Sequence, residues 1–315
     1  MAKLTLKIIL FVVLLYIPLY IVQKIVDEGM HKYRKGEYAV WNDIYSGNIN
    51  ADLIILGNSR AFVNISPLVL DTALKQSAYD LGVDGGDFNL AYTRFKVYLS
   101  KNKMPKTVIL SVSTSDLERG IGIFNNQQFM PYLNDTIIRK GTAGYQNSFT
   151  LADYYVPAMK YRSDPISYSV GFNLYFGKEV PNDDVRVRGY QARERVWDDS
   201  FENFKKLKKT YTIKADTNLV KEFHELIKTC KANNVKLYFV YSPEYVKVQP
   251  YFVNRATIFS YYQDAAKQYG IPFLDYSNDP ISHDTTYFYN SEHLNKNGAE
   301  TFTKKLAQDI KALKI

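Results

Sequence analysis

Residues Leu53 to Arg60 read Leu-Ile-Ile-Leu-Gly-Asn-Ser-Arg. Four apolar residues stop on Gly-Asn-Ser-Arg, and two readings follow. Gly57 and Asn58 tolerate positive φ, and Ser59 and Arg60 are at home in water, so the stretch fits a plain turn. It equally fits a buried strand that delivers a serine hydroxyl to the rim of a sheet.

The flanking chain supplies the context. Ala51–Leu56 is a short apolar run, read as a buried strand. Ser66-Pro67 opens a helix, with Ser as N-cap and Pro at the first helical position. Ser77–Leu81 is a second short strand. Asp87–Asn102 has helical spacing, with Phe88, Tyr92, Phe95, Tyr98 and Leu99 in step. Thr107–Val112 is a third strand, β-branched and uncharged. From about Leu117 to Asp216 the alternation fails, and the stretch reads as an insertion of short helices and loops rich in Tyr, Asn, Arg and Phe. The rhythm returns with helix Thr217–Ala232, strand Val235–Tyr241, helix Asn254–Tyr269, strand Ile271–Leu274 and helix Gly298–Leu313. Strands alternating with helices predict an α/β fold: a three-layer αβα sandwich around a mainly parallel sheet. Ligands of such sheets bind beyond the carboxyl ends of the strands. That rule puts Gly57–Arg60, Gly82–Gly86, Ser113–Asp116 and Ser242–Glu244 on one rim.

The chain has 315 residues, 46% of them hydrophobic, enough for a sizeable core. Its 27 tyrosines against 2 tryptophans are read mainly as packing with a wet tip. The net charge of +8 collects at His31–Lys35, Arg186–Arg195 and Lys205–Lys209. No helix-turn-helix, zinc-finger or RNA-binding signature accompanies it, so nucleic acid is not the expected partner. An anionic membrane surface or envelope polymer accounts for the charge, as do plain solvated faces. The single cysteine, Cys230, rules out an intramolecular disulfide and a Cys-based metal site.

Ile8–Val22 carries no charge, and Leu4–Leu6 extends it to nearly the ~20 residues a bilayer needs. The following VQKIVDEGM offers no small-residue cleavage site. Residues 1–26 are therefore expected to form an uncleaved signal anchor, followed by a polar stalk at 27–50. Counting Lys and Arg on either side favours an inside C-terminal domain. The short basic start before an apolar core argues for an outside one, and the extracytoplasmic reading is adopted.

A serine nucleophile needs a base. Of four histidines, His31 lies beside the membrane segment, His224 within an amphipathic helix and His283 in the loop SNDPISHDTTYFYN. His293 stands just ahead of the final helix, in NSEHLNKNGAETF, and is the candidate base. Asp80, Asp84 and Asp87 lack the spacing and terminal Glu of a calcium loop, and Gly82–Gly86 lacks the Lys-Ser/Thr of a phosphate loop. No metal or cofactor is expected. Arg60 either binds an anionic substrate group beside the serine or braces the turn through carbonyls; the first makes it a substrate-binding candidate.

GNSR after the first strand, a Gly-bearing loop after the second and a late HLN-x-x-G block resemble the SGNH/GDSL hydrolase superfamily, over most of Asp52–Leu313 apart from the insertion. The resemblance implies Ser59 as nucleophile and His293 as base. It implies an oxyanion hole from the Ser59 N–H and an N–H of the second loop, here assigned to Gly85 over Gly82 or Gly86. Where the family places an Asn in that hole this chain has Ser115. Where it places an Asp three residues before the His this chain has Asn290. Asn can hold an imidazole through its carbonyl but cannot offset imidazolium charge, and its amide can favour the wrong tautomer. In a serine-protease triad that exchange costs about 10⁴ in kcat. Asp284 or a backbone carbonyl could orient the ring instead.

Membrane-anchored relatives with long insertions are associated with acyl groups on cell-envelope polymers. The implied function is a membrane-anchored serine acyl esterase or O-acyltransferase acting on an envelope glycan or polymer. A membrane acyl-donor protein is a candidate partner, and the Tyr-rich insertion with Arg186–Arg195 the candidate polymer surface. The alternative is a catalytically weak SGNH-like envelope protein that binds glycan or a protein partner.

Overall fold

The structure, a computed structural model, describes residues 2–313 except residue 183; the first residue of the expected anchor 1–26 falls outside it, as does the end of the expected α/β domain 51–315. All four residues of Leu53–Leu56 are buried, with no in–out alternation. Such a strand belongs in the middle of a sheet covered on both faces. It is β1, and β2 (Ala78–Asp80), β3 (Thr107–Ser111), β4 (Lys236–Tyr241) and β5 (Phe273–Asp275) complete a five-stranded sheet in the order β2-β1-β3-β4-β5. Every pairing is parallel; Ile54 lies between Tyr79 and Val108.

Helices pack on both faces, and β4 shows how. Tyr238 and Val240 belong to one cluster with Phe302 and Leu306 of the helix Lys296–Ala312 and Leu70 of the helix Pro67–Leu74. Phe239, one residue out of step, meets Phe223 of the helix Thr217–Ala232, which in turn meets Phe88 of the helix Phe88–Lys101. This is the period-2 alternation of a strand with helices above and below it. The chain leaves β1 for β2 on one side and crosses to β3 on the other, so the strand order reverses at β1. Such a reversal opens a crevice at the carboxyl ends of the strands, and Gly57–Arg60 follows β1 there.

The chain forms two compact units, residues 2–42 with Ile121–Val185, and Asp43–Gly120 with Arg186 onward. The αβ order lapses between β3 and the helix Thr217–Ala232, and of that stretch Ile121–Val185 belongs to the first unit. From Arg186 the chain is back on the sheet: Val187 and Tyr190 pair as a small hairpin, and Asp80 N–H donates to the Arg188 carbonyl at 2.9 Å. That bond covers the exposed edge of β2. Nor is 27–50 a polar stalk. Gly36–Ser46 is a helix with Val40 and Trp41 fully buried, because two large apolar side chains in that stretch need a core. Trp41 donates to Gln128 Oε1 at 2.9 Å.

Ala2–Met30 is a single helix with a window of mean hydropathy 2.4, none of it buried, long and apolar enough to cross a membrane. Its last turns differ. Val26, Gly29 and Met30 are buried. Gly29 lies against the Gly171 carbonyl of the helix Pro165–Tyr175 so closely that a Cβ would sit 1.7 Å from the oxygen. Asp27 pairs with Lys160 at 2.7 Å and accepts from Tyr161 at 2.6 Å.

Candidate active site

Gly57 ends β1 with its Cα hydrogen facing the Ser111 carbonyl of β3; a Cβ would stand 2.6 Å from that oxygen, so only glycine passes. Asn58 then caps the helix Ser59–Asn64 by accepting the Arg60 N–H at 2.8 Å. Its amide nitrogen donates to Ser113 Oγ at 2.9 Å and Asp116 Oδ1 at 2.8 Å, which ties the nucleophile turn to the loop after β3. Asp116 also accepts the Ser113 N–H and hydroxyl, and burial pushes its carboxyl up to about 6 although those bonds and Arg60 pull it down.

Ser59, the first residue of that helix, has its Oγ 2.8 Å from His293 Nε2. On the far side of the ring, Nδ1 is 3.1 Å from Asn290 Oδ1. The same oxygen accepts the backbone N–H groups of Glu292 at 3.1 Å and His293 at 2.9 Å. Two backbone donors fix that atom as oxygen, so Nδ1 must carry the ring proton and Nε2 offers its lone pair to the serine. Asn290 thus selects the productive tautomer rather than the wrong one. Burial, then the positive charges of Arg60 and Arg193, push the His293 pKa down to about 3, so the ring is neutral throughout the ordinary pH range.

Arg60 corrects the substrate-binding expectation. Its side chain is 4% exposed and turned into the protein. It pairs with Glu244 at 2.9 Å, donates to the Ser242 hydroxyl at 3.3 Å and to the Ser242 carbonyl, and lies 4.4 Å over the Tyr241 ring. Burial opposes its charge, while Tyr241 and Glu244 more than restore it. Arg60 braces the turn after β1 against the turn after β4.

Asn64, on the same helix as Ser59 and fully buried, holds the histidine loop on both sides. It accepts the Leu294 N–H at 2.9 Å and donates to the Glu292 carbonyl at 3.2 Å and Ser242 Oγ at 3.0 Å. The sequence put Asn58 and Glu244 on the rim without giving them a role, and did not single out Asn64. The one signal for Asn64 was a lone amide inside the apolar run AFVNI.

Gly85 lies in an exposed turn after β2 with φ +59. Gly82, the rejected alternative, has its N–H on Asp80 Oδ1 at 2.7 Å and its carbonyl bonded by Arg94 and Arg186. The Ser59 N–H makes no hydrogen bond among the described residues. Ser115 is exposed, with its hydroxyl 3.4 Å from Ser113 Oγ; the Ser113 proton is committed to Asp116, so Ser115 is the donor there.

Asp284 caps the turn Thr285–Tyr287, accepting from Thr286, and takes no part in orienting His293. His31 stacks on Tyr132, His224 packs between Phe223 and Tyr269, and His283 bonds Asn278. Asp80 and Asp87 use their carboxylates as caps for Gly82, Leu90 and Gly120. Arg186, expected on a polymer surface, is buried with its guanidinium 3.7 Å over Phe62. Arg195 is exposed, 5.9 Å over Tyr289, and Tyr289 stacks on the His293 ring at 5.5 Å and 8°.

No family model matches this chain, and no curated protein matches it. Among solved structures it is similar to a lipolytic protein assigned to the G-D-S-L family from Desulfitobacterium hafniense, at 12% identity and TM-score 0.40, covering 81% of this chain and 97% of that one. It is similar to a structure assigned as an acylhydrolase from Bacteroides fragilis, at 13% identity and TM-score 0.38, covering 82% and 86%. A GDSL-like lipase from Bacteroides thetaiotaomicron matches at 12% identity and TM-score 0.37, covering 82% and 88%.

Proposed function

We propose that this chain is a membrane-anchored serine acyl esterase or O-acyltransferase of the SGNH type, acting outside the cytoplasm on acyl groups of an envelope glycan or polymer. The observation that carries the reading is the 2.8 Å contact from Ser59 Oγ to the unprotonated nitrogen of His293. Such a pair is the activated nucleophile of acyl transfer.

Ser59 attacks an ester carbonyl while His293 Nε2 takes its proton. The Ser59 and Gly85 N–H groups receive the oxyanion, and the Ser115 hydroxyl joins them by turning away from Ser113 Oγ; one such donor is worth about 10²–10³ in rate. Collapse expels the alcohol, which leaves with the proton from Nε2, and the acyl group stays on Ser59. Water or a sugar hydroxyl, deprotonated by the same nitrogen, completes the cycle. Among the described residues no carboxylate faces Nδ1, so the imidazolium formed midway meets the Asn290 carbonyl dipole there instead. The correct tautomer is retained, so the cost falls below the roughly 10⁴ of a triad that loses charge and tautomer together. The exposed Arg195 over Tyr289, beside the base, supports a polyanionic or sugar-bearing substrate. The packing of Val26, Gly29 and Met30 into a folded unit supports an uncleaved anchor.

The test is labelling of the full chain in detergent with a fluorophosphonate probe, beside Ser59→Ala and His293→Ala. Labelling that both variants lose is the expected result. Absence of labelling in folded protein would favour the non-catalytic glycan-binding protein.

A further inference from the structure

The anchor helix does not stand clear of its own unit along its apolar length. Tyr16 O–H donates to the Tyr155 carbonyl at 3.3 Å, and the Ala158 N–H donates to Gln23 Oε1 at 2.8 Å. The apolar run ends at Val22, and a helix rises 1.5 Å per residue. Tyr155 is therefore held about 9 Å inside the polar end of the run. Any bilayer that accepts the run to Val22 must also accept the short helix Leu151–Tyr155.

That helix is suited to the place. Leu151, Tyr155 and Val156 are 76%, 59% and 48% exposed, an open apolar face beside the anchor. Cations stand around it: Arg139 lies 4.2 Å over Tyr154 and donates to the Tyr155 hydroxyl at 3.3 Å, and Arg162 pairs with Asp153. On the anchor helix itself Lys24 lies over the Tyr20 ring at 5.9 Å. Aromatic rings with adjacent Lys and Arg are the composition of a membrane–water boundary, and an interfacial segment sinks about 5–10 Å there.

We propose that residues 151–156 form a foot that enters the headgroup–acyl boundary of the bilayer crossed by the anchor helix. The occupant of the exposed face is lipid, because the face is continuous with the apolar surface of that helix. The foot rests on the anchor reading. It gives the chain a second, non-spanning hold on the membrane and fixes the rotation and depth of the unit that carries it.

The test uses the full chain in phosphatidylcholine–phosphatidylglycerol vesicles. A thiol-reactive fluorophore is placed singly at Leu151→Cys, Val156→Cys, Phe11→Cys within the anchor, or exposed Lys221→Cys as the aqueous reference. Cys230 is buried and its thiol is pushed up to about 12 by that burial, so it leaves the labelling site-directed. Iodide in the buffer and nitroxide lipids labelled near the headgroup end of the acyl chain report the two sides. The expected result is a severalfold loss of iodide quenching at 151 and 156 relative to 221, with strong quenching there by the nitroxide lipid and shielding of 11. Shielding at 11 with open access at 151 and 156 overturns the foot and leaves the anchor standing. Open access at 11 overturns both. Shielding at 151 and 156 without lipid quenching means that protein, such as a second copy of this chain, covers the face, and also overturns the proposal.

Discussion

Ser59 and His293 reach the same point from segments of opposite character. The serine stands three residues beyond β1, at the start of a helix, and its place follows from strand, Gly57 turn and cap. The histidine stands in irregular chain ahead of the helix Lys296–Ala312. Its place follows from groups sent in from elsewhere, the Asn64 amide on either side and the Tyr245 N–H on the Ser291 carbonyl at 2.8 Å, and from the neighbouring Asn290 against Nδ1. Secondary structure positions Ser59; the Asn64 side chain, distant in sequence, holds the loop that positions His293. Damage to the site should therefore enter through the base.

The largest effect tests the pair itself. Ser59→Ala and His293→Ala should each lower turnover of a responsive ester by about 10⁴–10⁶, with circular dichroism unchanged. Next is Arg60→Ala, which leaves the buried Glu244 carboxylate with the Tyr241 hydroxyl and the longer 3.5 Å pair with Arg255, and should cost about 3 kcal/mol in urea unfolding, the low end for a broken buried pair. Arg60→Lys should not restore it, because an ammonium cannot span Glu244 and Ser242 together. Were Arg60 a substrate group instead, KM would rise and stability would hold.

Asn64→Leu sharpens the comparison. It frees the histidine loop without touching the reacting atoms, and should cost kcat on the order of 10² through misplacement of the base. The unpaired Leu294 N–H should add about 1–3 kcal/mol of destabilisation. A fall in stability without a fall in kcat would show that the loop holds itself.

Smaller still is a shift in pH profile. His293 is held near 3, so the acid limb of kcat/KM should lie well below pH 6.5. Asn290→Asp places a negative charge against Nδ1, favours the imidazolium and raises that pKa, so the limb should move to higher pH. In the parent protein, the depressed pKa contributes stability that is complete above the unfolded value of about 6.5 and is lost as pH falls towards 3. Asp284→Asn should leave the profile unmoved, since Asp284 caps a turn.

The parallel sheet was legible because buried strands and amphipathic helices leave periodic marks: TVILS and KLYFVY admit few other readings. Ser59 and His293 were legible as residue types in order along the chain. The direction of Arg60 was not, since a guanidinium after a nucleophile suits solvent and core equally, and Glu244 lies 184 residues away. The roles of Asn58 and Asn64 were missed for the same reason: a single long-range amide bond has no period. The helix Gly36–Ser46 was hidden by polar neighbours, although Val40 and Trp41 already demanded a core.

The sequence separation of 234 between Ser59 and His293 also carries a cost in time. At an elongation rate of about 5–20 residues per second, roughly 10–50 s pass between synthesis of the hydroxyl and synthesis of its base. Through that interval the serine is an ordinary alcohol on a nascent chain. On the proposed mechanism, activation of Ser59 waits for the helix Lys296–Ala312 to dock and for Asn64 to close on the loop ahead of it, so a chain still being made holds the serine without its base.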